Sequence, residues 1–174
     1  APVVNRSALR DGSLRKEAKK LGVDILLYEA GEGLRFDEQS ARVGVAGILR
    51  VMHALDMIPA DGVPLAEVVP VRAGSSSWER APAGGLLRAF ISAGEMVAEG
   101  DVLGVVADPF GEKEAELRAS QPGLVIGRAN MPIVNEGDAL FHIARINTDG
   151  AESRIESLNA QLEDAAIFDE DEII

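Results

Sequence analysis

The sequence predicts an α+β protein in which a helix–strand–helix segment is followed by a longer region of β-strands. Residues 1–59 contain two runs with helix start and stop signals and one short apolar run between them. In residues 60–150, short apolar runs alternate with Gly, Pro, Asp and Asn, which is typical of an all-β unit. Residues 151–174 predict an acidic helix and tail. We therefore expect three segments with these boundaries.

The first helix is predicted over residues 14–21. Ser13 stands where an N-cap is expected, and Gly22 follows as a stop signal. The next residues, 23–28, are short and mostly apolar, as in a buried strand. One strand cannot form a sheet, so its neighbours must come from elsewhere.

A glycine-rich turn over residues 29–33 separates this strand from a second, longer helix. That helix is predicted from Asp37 or Glu38, where acidic side chains favour the positive helix end, to about Met57 before Pro59. A helix, strand and helix with tight connections indicate part of an α/β sheet domain.

The β-rich segment contains an internal repeat. Residues 97–107 align without gaps on residues 134–144, with six of eleven positions identical at a spacing of 37 residues. A Gly-Leu pair precedes each copy, at 85–86 and 123–124. Two copies of strand, Glu-Gly-Asp turn and strand predict a small quasi-symmetric sandwich.

Charge and composition exclude several functional classes. The chain of 174 residues has no cysteine, two histidines and a net charge of −12. These features argue against disulfides, thiolate sites, a self-contained zinc site, and nucleic-acid or anionic-membrane partners. No apolar run is long enough to span a membrane, and no signal-peptide pattern opens the chain, so we expect a cytoplasmic protein.

The excess of acidic residues lies after residue 59. Residues 1–59 carry 9 basic and 8 acidic side chains, residues 60–150 carry 7 and 13, and residues 151–174 carry 1 and 8. The last segment predicts a short amphipathic helix from Glu152 to about Ala166. We interpret the final acidic run as a solvated tail, with docking on a basic groove as the alternative.

Several short motifs resemble, in order and spacing, those of the succinylglutamate desuccinylase/aspartoacylase family. They lie at residues 28–32, 34–38, 44–48, 72–78, 81–86 and 100–104. The resemblance covers about residues 1–146. It implies the C-terminal part of a zinc carboxypeptidase-like α/β catalytic domain, followed by a β domain of the barrel-sandwich, lipoyl-like type.

The resemblance also implies an activity. Members of this family hydrolyse the amide bond of N-acyl amino acids by means of a zinc-bound water. A glutamate carries protons from that water to the leaving amine. Glu29 matches the glutamate of the family's Glu-x-Gly motif, and it directly follows the apolar run at the strand end where α/β active sites lie. It is our candidate catalytic acid/base, with a helix-capping loop carboxylate as the alternative.

Arg35 is a candidate substrate-binding residue because a guanidinium holds a carboxylate through two hydrogen bonds. The alternative, which we favour, is an ion pair with Glu32 or Asp37. Trp78, the only tryptophan, is expected either at a junction between domains or at the rim of the active-site entrance.

The family's zinc ligands are absent from this chain. A His-x-x-Glu pair does not occur, and His53 and His142 are both interpreted as structural or surface residues. We therefore expect a C-terminal piece of a larger zinc hydrolase, with no metal ligands of its own and no activity alone.

Two other functions remain open. The β domain could be a non-catalytic scaffold that mediates homo-oligomerisation. It could instead be a lipoyl- or biotinyl-type carrier, with Lys113 as the modified residue. Lys113 lacks the sequence surroundings usual for that modification, so we interpret it as a solvated loop residue.

Overall fold

The computed structural model of the protein describes residues 3–65 and 69–146. Within these residues it is a mixed α+β structure, mostly sheet with two helices, which agrees with the predicted class. Neither of these helices is long and apolar enough to cross a membrane. The elements are α1 (Leu14–Lys20), α2 (Glu38–Ala54), β1 (Val3–Asn5), β2 (Val71–Arg80), β3 (Gly85–Ala89), β4 (Met96–Val97), β5 (Val102–Ala107), β6 (Glu114–Arg118), β7 (Gly123–Arg128), β8 (Ile133–Val134) and β9 (Ala139–Ile146).

The chain divides into two compact units. The helical unit consists of residues 8–70, and the β unit joins residues 3–7 to residues 71–146. Strand β1 therefore belongs to the β unit although it precedes the helical unit in the sequence. The helix and tail predicted for residues 151–174 lie outside the described residues.

Both helices of the helical unit begin at the predicted positions. The Ser13 hydroxyl oxygen accepts a hydrogen bond from the N–H of Lys16, and the Asp37 carboxylate accepts one from the N–H of Ser40 at 2.8 Å. Helix α2 ends at Ala54, three residues before the predicted end. The chain leaves the helix there because Asp56 has a φ of 55°, in the left-handed region.

The prediction of a buried strand over residues 23–28 is wrong for this chain. Among the described backbone hydrogen bonds, none joins residues 24–28 to another strand. Leu26 is 84% exposed and Leu27 is 62% exposed. The physical reason is that the described part of the helical unit contains no other strand that could pair with this segment.

The β unit consists of two sheets. The larger has the strand order β1-β2-β9-β7-β4, and the smaller has the order β6-β5-β3-β8. Strand β1 is parallel to β2, and the other pairs are antiparallel. Apolar residues of both sheets form one core cluster. Its fully buried members are Leu103, Val106, Val125, Leu140, Phe141 and Ile143.

Two turns of the β unit have the same local geometry. The carboxylate of Asp101 accepts a hydrogen bond from the backbone N–H three residues before it at 2.7 Å, and Asp138 does the same at 2.7 Å. The preceding residues, Gly100 and Gly137, have φ angles of 89° and 86°. A positive φ of this size favours glycine, which explains why both turns contain the Gly-Asp pair.

Candidate functional site

The candidate acid/base Glu29 lies in an exposed loop that is anchored by its neighbour Tyr28. The hydroxyl of Tyr28 donates a hydrogen bond of 2.8 Å to the carbonyl of Ser40 in helix α2. The ring lies against Gly44, where an added Cβ would come within 3.0 Å of Cε1. Helix α2 therefore fixes the point at which the loop that carries Glu29 begins.

The loop after Glu29 contains a backbone feature that the sequence analysis missed. Leu34 has a φ of 70° although it is not a glycine, and its side chain is fully exposed. A branched apolar residue in the left-handed region is costly, and such residues are concentrated at functional sites. The only sequence signal is indirect, because Leu34 directly follows the glycine-rich turn.

The phenol of Tyr28 has a perturbed acidity. Burial raises the pKa of Tyr28, and the negative charge of Asp37 raises it further, while the hydrogen bond to Ser40 acts in the opposite direction. Tyr28 therefore stays protonated above its usual range, and its hydroxyl remains a hydrogen-bond donor beside the loop.

The second candidate, Arg35, forms an ion pair in this structure. Its guanidinium lies 2.8 Å from the carboxylate of Glu32, and both side chains are exposed. The hydrogen bond to Glu32 and the charge of Glu32 raise the pKa of Arg35. The pairing alternative is thus formed with Glu32, and binding of a substrate carboxylate by Arg35 stays a prediction.

The two histidines have distinct surroundings. His53 lies near the end of α2, where its Nδ1 is 3.1 Å from the carbonyl of Ile58. His142 lies in β9, with Nε2 2.8 Å from the Ser76 hydroxyl oxygen, and its ring stacks on Trp78. These contacts agree with the interpretation of both as structural or surface residues.

The contacts of His142 continue to the first strand. The amide nitrogen of Asn5 donates a hydrogen bond of 2.7 Å to the Ser76 hydroxyl, which joins β1 to the pair formed by His142 and Trp78. Asn5 and Ser76 are 71 positions apart. Sequence reasoning missed this cluster because no local pattern links residues so far apart.

In residues 3–65 and 69–146, no three His, Cys, Asp or Glu side chains lie close enough to hold a metal ion. The described residues therefore do not fit the zinc centre that the sequence resemblance implies. Lys113 is exposed at the end of the turn that joins β5 to β6, and its carbonyl accepts a hydrogen bond of 3.0 Å from the N–H of Asp108.

Solved structures provide the comparison that identifies the fold. The product-bound ectoine utilization protein EutE (DoeB) from Ruegeria pomeroyi matches with a TM-score of 0.73 and 24% identity, over 83% of this chain and 45% of that one. A succinylglutamate desuccinylase from Silicibacter sp. TM1040 matches with a TM-score of 0.72 and 22% identity, over 84% and 46%. A succinylglutamate desuccinylase/aspartoacylase from Rhodobacter sphaeroides matches with a TM-score of 0.71 and 20% identity, over 84% and 47%.

The chain has the fold of part of these three structures, two of which are named as succinylglutamate desuccinylase or aspartoacylase. It spans about half of their length. The resemblance found in the sequence is therefore confirmed at the level of the fold. No protein-family model matches the chain, and no curated protein matches it.

Proposed function

We propose that this chain is the C-terminal portion of a cytoplasmic deacylase that cleaves the amide bond of N-acyl amino acids. The observation that carries this proposal is the fold shared with the succinylglutamate desuccinylase/aspartoacylase structures over more than four fifths of the chain. The motif around Glu29 supports it from the sequence. The substrate is a small molecule that contains one amide and one or more carboxylates.

Glu29 is the residue that moves protons in this reaction. Its carboxylate takes a proton from the attacking water as the water oxygen bonds to the amide carbon. Glu29 then gives that proton to the nitrogen as the C–N bond breaks, which releases a carboxylate and a free amino acid. Two features support this role. The side chain of Glu29 is exposed and can reach a water molecule, and the backbone of its loop is held in place by the hydrogen bond of Tyr28.

We propose zinc dependence for the whole protein and not for residues 1–174 alone. The described residues contain no ligand set, so any metal ligands come from polypeptide other than these residues. No step of the proton transfer above passes through a metal. We infer that residues 1–174 alone are inactive.

The β unit is proposed to be a quasi-symmetric barrel-sandwich domain. Its two Gly-Asp turns support this, because each is held by an Arg-Ala pair from the other half of the unit. The Arg80 guanidinium donates to the carbonyl of Gly137 at 2.8 Å, and Arg118 donates to the carbonyl of Gly100 at 2.8 Å. Ala81 and Ala119 add matching backbone hydrogen bonds of 2.8 and 2.9 Å to the aspartates of these turns. These reciprocal hydrogen bonds link the two copies of the repeat.

The test of the reaction class uses the chain together with the polypeptide that its gene encodes upstream of Ala1. We expect this protein to release free amino acid from N-acyl amino acids, and to release the alcohol from the matching esters of simple alcohols much more slowly. Residues 1–174 alone are the control and are expected to release none. Absence of amide hydrolysis by the longer protein, with metal supplied, would refute the proposed function.

A further inference from the structure

The β unit has an exposed apolar patch on the outer face of its smaller sheet. Along β3 and the two residues after it, Leu87, Ala89 and Ile91 pack against the core cluster. Because successive side chains of a strand point to opposite faces, the residues between them point away from the core. Two of these are large and apolar, with Leu86 42% exposed and Phe90 55% exposed.

Strand β8 extends this patch to the edge of the sheet. Ile133 lies directly opposite Leu86 and is 71% exposed. The pairing continues through a hydrogen bond of 2.7 Å from the N–H of Leu87 to the carbonyl of Pro132. Met131, which is 63% exposed, therefore lies on the same face as Ile133. The β3–β8 patch consists of Leu86, Phe90, Met131 and Ile133.

The internal repeat indicates that this position of the sheet is one that packs against another layer. Leu86 and Leu124 are the leucines of the two Gly-Leu pairs. Leu124 lies opposite Met96 across β7 and β4, as Leu86 lies opposite Ile133 across β3 and β8. Leu124 is only 3% exposed, whereas Leu86 is 42% exposed. The same apolar position is therefore buried in one copy of the repeat and half-exposed in the other.

The charges on this face are balanced, although the chain as a whole is strongly acidic. Arg88 in β3 pairs with Glu114 in β6 at 2.9 Å, and Arg118 pairs with Glu116 at 2.5 Å. The net charge of −12 opposes the association of two copies in general. A two-fold axis places the same patch of each copy against the other, so association is least opposed where both signs of charge are present in equal number.

The size of the patch suits the apolar part of a dimer interface. If a fully exposed large side chain presents about 200 Å², the four side chains expose on the order of 450 Å². A standard interface buries about 800 Å² on each partner, and slightly more than half of it is non-polar. The patch supplies this apolar share, and the two ion pairs beside it supply a polar rim.

We propose that two copies of this chain associate around a two-fold axis through the β3–β8 patch, with the outer faces of their smaller sheets packed on each other. Strand β8 has only two residues, so main-chain pairing at the sheet edge contributes little, and packing of the faces holds the dimer. This inference goes beyond the proposed function and does not depend on it, because the patch lies in the β unit and Glu29 lies in the helical unit.

Analytical ultracentrifugation of residues 1–174 over a range of concentrations tests the dimer. We expect a monomer–dimer equilibrium in which Ile133→Asp raises the dissociation constant at least about 100-fold, because each dimer would bury two added charges. Ile48→Asp is the matched control, since Ile48 is 60% exposed on α2 in the other unit. It should leave the dissociation constant within about 2-fold of wild type.

A second variant separates loss of the interface from loss of the fold. Phe90→Asp changes the same patch from β3 rather than from the edge strand, and it should weaken the dimer to a similar degree. Urea unfolding followed by the fluorescence of Trp78 checks that both variants remain folded. A folded variant at either position with the wild-type dissociation constant would contradict the proposal.

Other occupants of the patch give different results. A wild-type chain that stays monomeric would overturn the proposal, and dimerisation only after removal of residues 151–174 would assign the patch to the acidic C-terminal segment. A dimer that is lost in Ile48→Asp but kept in Ile133→Asp would place the contact in the helical unit. Loss of the dimer in the longer protein, with the polypeptide encoded upstream of Ala1, would assign the patch to that polypeptide. Each of these results would contradict the dimer, and none of them reads the hydrolase activity.

Discussion

The indole ring of Trp78 stacks on the imidazole ring of His142, with centroids 4.5 Å apart and ring planes 13° apart. The two residues are direct neighbours across β2 and β9. Stacked ring pairs contribute about 0.5–1.5 kcal/mol beyond the burial of their area. This contact joins β2 and β9, two adjacent strands of the larger sheet.

We expect His142→Ala to change the fluorescence of Trp78 and to lower the free energy of unfolding by about 2 kcal/mol, since the ring contact and the hydrogen bond to Ser76 are both lost. His142→Phe is the matched control, because it keeps a stacking ring and loses the hydrogen bond to Ser76. Chemical unfolding followed by the single tryptophan measures both effects. Unchanged fluorescence in His142→Ala would contradict the stacked geometry.

The two Gly-Asp turns give a paired prediction. Gly100→Ala and Gly137→Ala should each lower the free energy of unfolding by about 1 kcal/mol, because a Cβ is disfavoured at their positive φ. Neither has an atom within 4 Å of the added Cβ, so the cost comes from the backbone alone. Gly74→Ala is the control, with open space and no left-handed φ. Urea unfolding measures all three, and a loss in one turn only would argue against equivalent turns.

The single tyrosine allows a direct titration. Burial and the charge of Asp37 raise the pKa of Tyr28, so the tyrosinate absorbance should appear above the ordinary value of about 10. The stabilisation that comes from keeping the Tyr28 phenol neutral is fully present below the pKa of tyrosine in the unfolded chain. It is lost as the pH rises through the pKa of Tyr28 in the folded protein. Asp37→Ser keeps a helix cap and removes the charge, so the midpoint should fall. A wild-type midpoint at or below the ordinary value would contradict the packing of Tyr28.

Substitutions of Glu32 and of Arg35 are expected to change KM in opposite directions. If Arg35 binds the substrate carboxylate in the whole protein, Arg35→Lys should raise KM about 10-fold with little change in kcat, since lysine cannot donate two parallel hydrogen bonds. Glu32→Gln should lower KM because it releases the guanidinium. Steady-state kinetics with one N-acyl amino acid measures both. An unchanged KM in Arg35→Lys would leave Arg35 as a partner of Glu32 only.

Local features were predictable from the sequence. Ser13 and Asp37 cap their helices by accepting a hydrogen bond from a backbone N–H three residues later, and such a contact depends only on the local sequence. The turns at Gly100 and Gly137 have equivalent hydrogen bonds for the same reason. These features depend on contacts between residues three or four positions apart, so they can be predicted from a single sequence.

Non-local features were not predictable. Strand β1 pairs with β2 through Val3 and Val71, and no short-range pattern joins such distant residues. The strand predicted over residues 23–28 is not formed, because an apolar run in the sequence does not show whether a neighbouring strand is present. For the candidate site, the motif of Glu29 was visible, whereas the left-handed backbone of Leu34 depends on how the loop closes.

The most direct test of the account is the kcat of Glu29→Gln in the protein that contains the whole α/β domain. Glutamine preserves the shape of the side chain but cannot carry the proton, so kcat should fall about 100-fold or more while KM and bound metal stay unchanged. Asp24→Asn, at another exposed carboxylate of the same unit, should leave kcat within about 2-fold of wild type. A Glu29→Gln protein with nearly full kcat would contradict the assignment of Glu29 as the acid/base.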